Sequence, residues 1–166
     1  MEIRSPFINY SRTSGIININ DFPEYDLRSL TPMSPDSIVK IFQKKSLLFE
    51  PGSKYSYSNS NYNVLAYIIE KVSEMKYGDF LKKNIFDILG MKSTSHHVNA
   101  AEVILNIATG YTMDGLTNLQ RAPYLDWTIK TGNGSLYSTV EDLAEFDRVF
   151  YTEKLMTKAT KEKMFG

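Results

Sequence analysis

The residues able to carry chemistry fall into a few groups. Two serines are followed three positions later by a lysine, Ser37 with Lys40 and Ser73 with Lys76. A Lys130-Thr131-Gly132 triplet and a Tyr57-Ser58-Asn59 triplet stand apart from them, and His96-His97 are the two histidines of the chain. A serine hydroxyl activated by a basic group is the starting material of covalent catalysis. Adjacent imidazoles with no cysteine to join them make a poor metal site, and a surface loop is the expected setting for that pair. None of these groups is informative alone. With 16 Ser and 14 Lys, roughly one or two S-x-x-K spacings arise by chance, and 11 Tyr with 11 Asn give roughly one Tyr-x-Asn.

The surroundings of Tyr57 carry more weight. Phe49-Glu50-Pro51-Gly52 and Tyr55-Ser56-Tyr57-Ser58-Asn59 run through Tyr62 into a segment with Leu65, Ile68, Ile69 and Val72. Tyr77, Phe80-Leu81, Ile85-Phe86, Leu89-Gly90-Met91 and Thr94 come next in order. This run resembles the class C β-lactamase and D-alanyl-D-alanine carboxypeptidase family, the penicillin-binding-protein-like serine hydrolases and their related esterases. The family pattern is F-x-P-G-x-x-x-x-Y-S-N-x-x-Y, an amphipathic helix, then L-G-M-x-x-T. Two outlying segments agree in order. Arg12-Thr13-Ser14-Gly15-Ile16 resembles H-T-S-G-[IL], and Gly134-Ser135-Leu136-Tyr137-Ser138-Thr139-Val140-Glu141-Asp142-Leu143 resembles G-x-L-Y-S-T-x-x-D-L. Arg12 replaces the usual His, and Glu74 stands where the family usually has Gly.

The resemblance implies acyl transfer: a serine attacks an amide or ester carbonyl, an acyl-enzyme forms, and water releases it. Backbone N–H groups stabilise the oxyanion. By position, Tyr57 would be the general base or acid and Asn59 the amide that orients substrate, in an intact parent; no cofactor and no metal is implied. The family's nucleophile, in its S-x-x-K element, lies upstream of H-T-S-G, and its K-T-G element on a strand downstream of G-x-L-Y-S-T. Ser37 and Ser73 instead fall in segments matching other helices, and Lys130-Thr131-Gly132, with Asn133-Gly134 after it, reads as a turn. A tyrosine ordinarily titrates near ~10, so about one in a thousand is ionised at neutral pH without a cation beside it. The expectation is therefore a central fragment, residues 1–166 forming a single partial domain that is inactive by itself. The competing expectation is a non-catalytic binding or structural protein that retains the helical lobe.

The elements that must position Tyr57 and Asn59 are mostly helical. Ser34 is a plausible N-cap with Pro35 at the first helical position, and Ile38, Ile41 and Phe42 share a face. Ser60 or Asn61 can cap the next helix, whose apolar positions are Tyr62, Leu65, Ile68, Ile69 and Val72. A helix around 77–89 buries Phe80, Leu81, Ile85 and Leu89 and stops at Gly90. Thr109-Gly110-Tyr111-Thr112 suggests a short strand leading to an Asp114-Gly115 turn. Ser138 and Glu141 match a capping box for a helix carrying Val140, Leu143, Phe146, Val149 and Phe150, and a last short helix starts near Thr157. The fold class expected is mainly α with few short strands, the helical lobe of the β-lactamase/penicillin-binding-protein-like α/β fold with most of its sheet missing.

Composition limits the alternatives. Hydrophobic residues at 42% and charged residues at 23% support a packed core rather than disorder. Lys plus Arg and Asp plus Glu balance at 19 each, which argues against nucleic-acid binding. Lys154, Lys158, Lys161 and Lys163 alternate with Glu153 and Glu162 as a solvated helix face does. The absence of cysteine excludes disulfides and thiolate chemistry but leaves the compartment open. No run is long enough for a membrane helix, and Met1–Pro6 does not open a signal peptide; the resemblance implies that intact family members are usually extracytoplasmic in bacteria. The expected partners are a small-molecule or peptidoglycan-like substrate in the intact parent, and self-association through exposed apolar surface.

Overall fold

The computed structural model of the chain describes residues 12–97 and 101–165; the Met1–Pro6 stretch lies outside them. Among the described residues, the longer helices are α1 (Pro35–Phe42), α2 (Asn59–Ser73), a composite α3 spanning 77–89, α4 (Val140–Asp147) and α5 (Lys158–Phe165), with a single α-helical turn at Tyr25–Arg28. The strands are β1 (Ser95–His96), β2 (Tyr111–Asp114), β3 (Asn118–Arg121) and β4 (Leu136–Tyr137). They form two antiparallel pairs, β1 with β4 and β2 with β3. The mainly helical expectation holds.

Local chemistry accounts for most boundaries. Ser34 caps α1, its hydroxyl accepting from the Ser37 N–H at 3.2 Å, with Pro35 at the next position, where a missing N–H costs nothing. Gly90 closes α3 at φ +75. The β2–β3 hairpin turns at Asp114-Gly115 in the register Asp114 to Asn118 and Tyr111 to Arg121. Thr157 accepts from the Thr160 N–H at 3.2 Å ahead of α5.

Three expectations need correction. The cap of α4 is Thr139, not Ser138; the Asp142 N–H donates to the Thr139 hydroxyl at 3.3 Å. The physical reason is that Ser138 is engaged elsewhere, with the Thr94 hydroxyl at 2.7 Å. α2 begins at Asn59, ahead of Ser60 and Asn61, because its first donors are satisfied from another segment: the Asn59 N–H donates to the Asn18 side-chain carbonyl at 3.1 Å. α3 is interrupted, with α-helix at Tyr77–Leu81 and Asp87–Leu89 flanking a π-turn at Lys82–Phe86. Its wide i→i+5 turn carries Phe86 into the core, where a regular helix would have swung it aside.

Two apolar clusters result. Leu81, Phe86, Leu89, Met91 and Val149 pack together beneath α3, and Ile19, Ile38, Phe42 and Ile129 pack beside α1. The family-like motif segments clasp one another. The Gly52 N–H donates to the Thr13 carbonyl and the Ser56 N–H to the Arg12 carbonyl. The buried Asp142 carboxylate accepts from the Ser93 N–H and the Thr94 hydroxyl, both at 2.7 Å. Among the described residues, no helix is long and apolar enough to cross a membrane.

Candidate active site

Tyr57 precedes α2 in extended chain, and Asn59 is the first helical residue. The Tyr57 ring is half exposed and tilts against Tyr62 with centroids 5.9 Å apart. The Arg12 guanidinium lies 5.8 Å from its centroid and 5.4 Å from that of Tyr55, and also donates to the Tyr55 hydroxyl. Arg12, at the position where the family usually has His, thus holds the aromatic pair in place by cation–π attraction.

Asn59 is held by three other asparagines. Its side-chain N–H donates to the Asn20 carbonyl oxygen at 2.7 Å, and its backbone N–H to Asn18. The Asn133 amide donates to the Asn59 backbone carbonyl at 3.4 Å and to the Asn63 side-chain carbonyl at 3.1 Å. Below it, the Asn63 amide donates to the Thr131 carbonyl at 2.7 Å and the Ile129 carbonyl at 3.3 Å. Ser60 bridges the backbone entering a 3-10 helix at Ile19–Asp21, accepting from the Ile19 N–H and donating to the Ile17 carbonyl, each at 2.8 Å. The Ser14 hydroxyl donates to the Asn61 carbonyl oxygen at 2.8 Å. Such a network fixes the amide of Asn59 in orientation, which is what substrate positioning requires.

The other sequence candidates lie elsewhere. Ser73 is at the far end of α2, about 20 Å from Asn59 at 1.5 Å per residue, and donates back to the Ile69 carbonyl at 2.6 Å. Ser37 stands in the first turn of α1 against the Ser34 hydroxyl. Its neighbour Asp36 is ion-paired with Lys40 and sits beside Tyr67 and Lys71 of α2, more than two turns from Asn59. Lys40 therefore neutralises a carboxylate, and hydrogen bonding to Lys40 holds the Asp36 carboxyl below its usual range. Neither S-x-x-K pair reaches Tyr57.

Lys130-Thr131-Gly132 forms the end of a 3-10 helix, Trp127–Lys130, and the turn after it. The Lys130 ammonium lies over the Tyr25 ring at 5.2 Å, and the Thr131 hydroxyl donates to the Thr128 carbonyl at 2.6 Å. Gly132 sits at φ +88, and a Cβ there would stand 2.3 Å from the Tyr62 carbonyl oxygen. Glycine is required for this close approach of the turn to α2. The triplet is a packing device.

His96 also departs from the surface-loop expectation. It is 7% exposed on β1, with Nε2 3.3 Å from the Thr131 hydroxyl and its ring edge-on to Tyr77 at 5.3 Å. Burial, with His97 alongside, pushes its pKa down to about 4. The loop reading failed because two histidines in sequence carry no sign of strand pairing; β1 faces His96 inward and leaves His97 half-buried. Among the described residues, no group of acidic residues and histidines could hold a metal ion.

Sequence reasoning also missed Asn18, Asn20, Asn63 and Asn133. A signal existed: Asn59, Asn61 and Asn63 crowd the first turns of a helix, where asparagine is a poor former unless its side chain is engaged. A separate cavity of about 640 Å³ opens between the β2–β3 hairpin and β4, and neither Tyr57 nor Asn59 lines it.

Comparisons with known proteins bear on the family and the fold. The family model described as Beta-lactamase matches residues 11–165. Penicillin-binding protein 4* of Bacillus subtilis is 36% identical over 130 residues, covering 71% of this chain and 28% of that protein. The human serine beta-lactamase-like protein LACTB, mitochondrial, is 37% identical over 129 residues, covering 76% of this chain and 23% of that protein. A D-stereospecific amidohydrolase from Streptomyces sp. shares the fold with TM-score 0.77 at 21% identity, over 93% of this chain and 48% of that one. The octameric penicillin-binding protein homologue from Pyrococcus abyssi gives TM-score 0.75 at 27% identity, over 94% and 37%. The chain thus spans about a quarter of the length of these curated relatives. With nearly all of its residues matched in order, the chain belongs to the beta-lactamase family.

Proposed function

We propose that Tyr57 and Asn59 form the Tyr-x-Asn corner of an acyl-transfer site acting on a β-lactam, a D-Ala-D-Ala peptide or an ester. The Tyr57 phenol moves the proton to and from the attacking serine and the leaving group. The Asn59 amide orients the substrate carbonyl. The serine nucleophile and its lysine come from polypeptide outside these 166 residues, so the chain alone forms no acyl-enzyme. The observation that carries this reading is the locked Asn59 amide beside an accessible Tyr57 ring, with Ser37 and Ser73 both remote from them.

A fluorescent penicillin tests it. No covalent adduct is expected on the 166-residue chain, whereas a longer polypeptide carrying S-x-x-K upstream and K-T-G or H-x-G downstream is acylated. In that polypeptide Tyr57→Phe slows acylation by about 10²–10⁴-fold. A stable adduct on Ser37 or Ser73 of the isolated chain, or full activity of Tyr57→Phe in the longer one, overturns the proposal.

A further inference from the structure

We propose that the cavity between the β2–β3 hairpin and β4 is a small-molecule site for an aromatic carboxylate. Its volume of about 640 Å³ suits a ligand of that size. Trp127, Tyr124 and Leu125 supply apolar wall, and both rings are partly exposed to the opening. Arg121 and His97 line the cavity, and among the described lining residues there is no carboxylate. The guanidinium offers a planar pair of donors that matches a carboxylate.

Ser135 lines the same cavity, its residue is 2% exposed, and its hydroxyl has no hydrogen-bond partner in the protein. Its backbone carbonyl is already taken by the His97 N–H at 2.8 Å, so the hydroxyl is the group left over. That hydroxyl is closed off from the cavity as well as unpartnered, so the charged contacts open to a ligand are those of Arg121 and His97. The site makes no use of Tyr57 or Asn59, so this proposal and the acyl-transfer reading stand or fall separately.

The chain has one tryptophan, Trp127, so its emission reports occupancy directly. The probe is N-acetyl-phenylalanine, compared with N-acetyl-phenylalanine amide, which has the same ring and no charge. A saturable change in Trp127 emission is expected with the acid, and about tenfold weaker binding with the amide. Arg121→Gln, an exposed position on β3, should bring the acid down to the affinity of the amide. Absence of a saturable change, equal affinity for acid and amide in the unaltered chain, or undiminished discrimination in Arg121→Gln would each overturn the proposal. The acid–amide comparison needs no variant, so the test survives a substitution that fails to fold.

Discussion

The two faces of α2 invert the usual arrangement of a surface helix. The face turned into the protein carries Ser60 and Asn63 at 0% exposure and Ala66 at 1%. The face turned out carries Leu65 at 37%, Ile68 at 45% and Val72 at 81%. An amphipathic helix ordinarily buries its apolar stripe. Here the buried side is held by hydrogen bonds to the segments 14–20 and 129–133. Those segments present backbone carbonyls and N–H groups that apolar side chains would leave unpaired. The difference teaches that the start of α2 is built for position, whereas its outward stripe is a surface for something else to cover.

The inner face is the place to break this comparison. Asn63→Leu keeps the branched shape but orphans the Ile129 and Thr131 carbonyls and leaves the Asn133 amide only the Asn59 carbonyl. A loss of about 3 kcal/mol is expected in urea unfolding, and a loss no larger than a surface substitution would mean the network is not what holds the helix.

The His96 contact to Thr131 supports the same turn and gives the next effect. Its imidazole titrates near 4 when folded, against 6.5 ordinarily. As pH falls the unfolded chain binds this proton first, so the contribution is whole above about 6.5, fades towards 4 and is flat below. The loss should be about 2 kcal/mol, after discounting for residual solvent screening. Unfolding midpoints of the unaltered chain and His96→Phe between those pH values isolate it, because the substituted chain keeps every other titrating group; parallel profiles would refute it.

Glu74 ends α2 at φ +56, in the left-handed region. Glu74→Gly should raise stability by about 0.5–1 kcal/mol, relief of strain outweighing the freedom gained by the unfolded chain. Thermal melts read this directly. Smallest of all, Val72→Lys on the outward stripe should change stability by no more than about 0.5 kcal/mol. The same substitution should lower self-association in sedimentation runs; a cost approaching that of Asn63→Leu would erase the distinction between the faces.

Legibility tracked locality. The Ser34 cap, the Gly90 stop and the Asp114-Gly115 turn rest on neighbouring residues, and sequence reading placed them correctly; the strand before the turn is Tyr111–Asp114 rather than Thr109–Thr112, and its partner Asn118–Arg121 was not foreseen. The clasp of Arg12–Gly15 on Phe49–Ser56 was visible only as two family-like motifs, without their contact. For the site, Tyr57 and Asn59 could be named from their sequence surroundings. Their supports could not, because Asn20 reaches Asn59 across 39 residues and Asn133 reaches Asn63 across 70. The α2 stripe has helical period on either face, and period alone does not say which side is buried. His96 was misplaced for a similar reason: its burial depends on β4 and Tyr77, and neither is adjacent in sequence.

The π-turn at Lys82–Phe86 has a consequence for how this chain can vary in length. A wide turn holds one residue more than an α-helical turn while leaving the helix on either side pointing the same way. Leu81 and Phe86, five positions apart, therefore meet in one core as a pair four apart would in an unbroken helix. The surplus residue is stored at this turn. A polypeptide shorter by one here would straighten into regular helix and keep its buried pair. A single-codon deletion would be absorbed at this point, leaving the Gly90 stop and the packing of Met91 undisturbed.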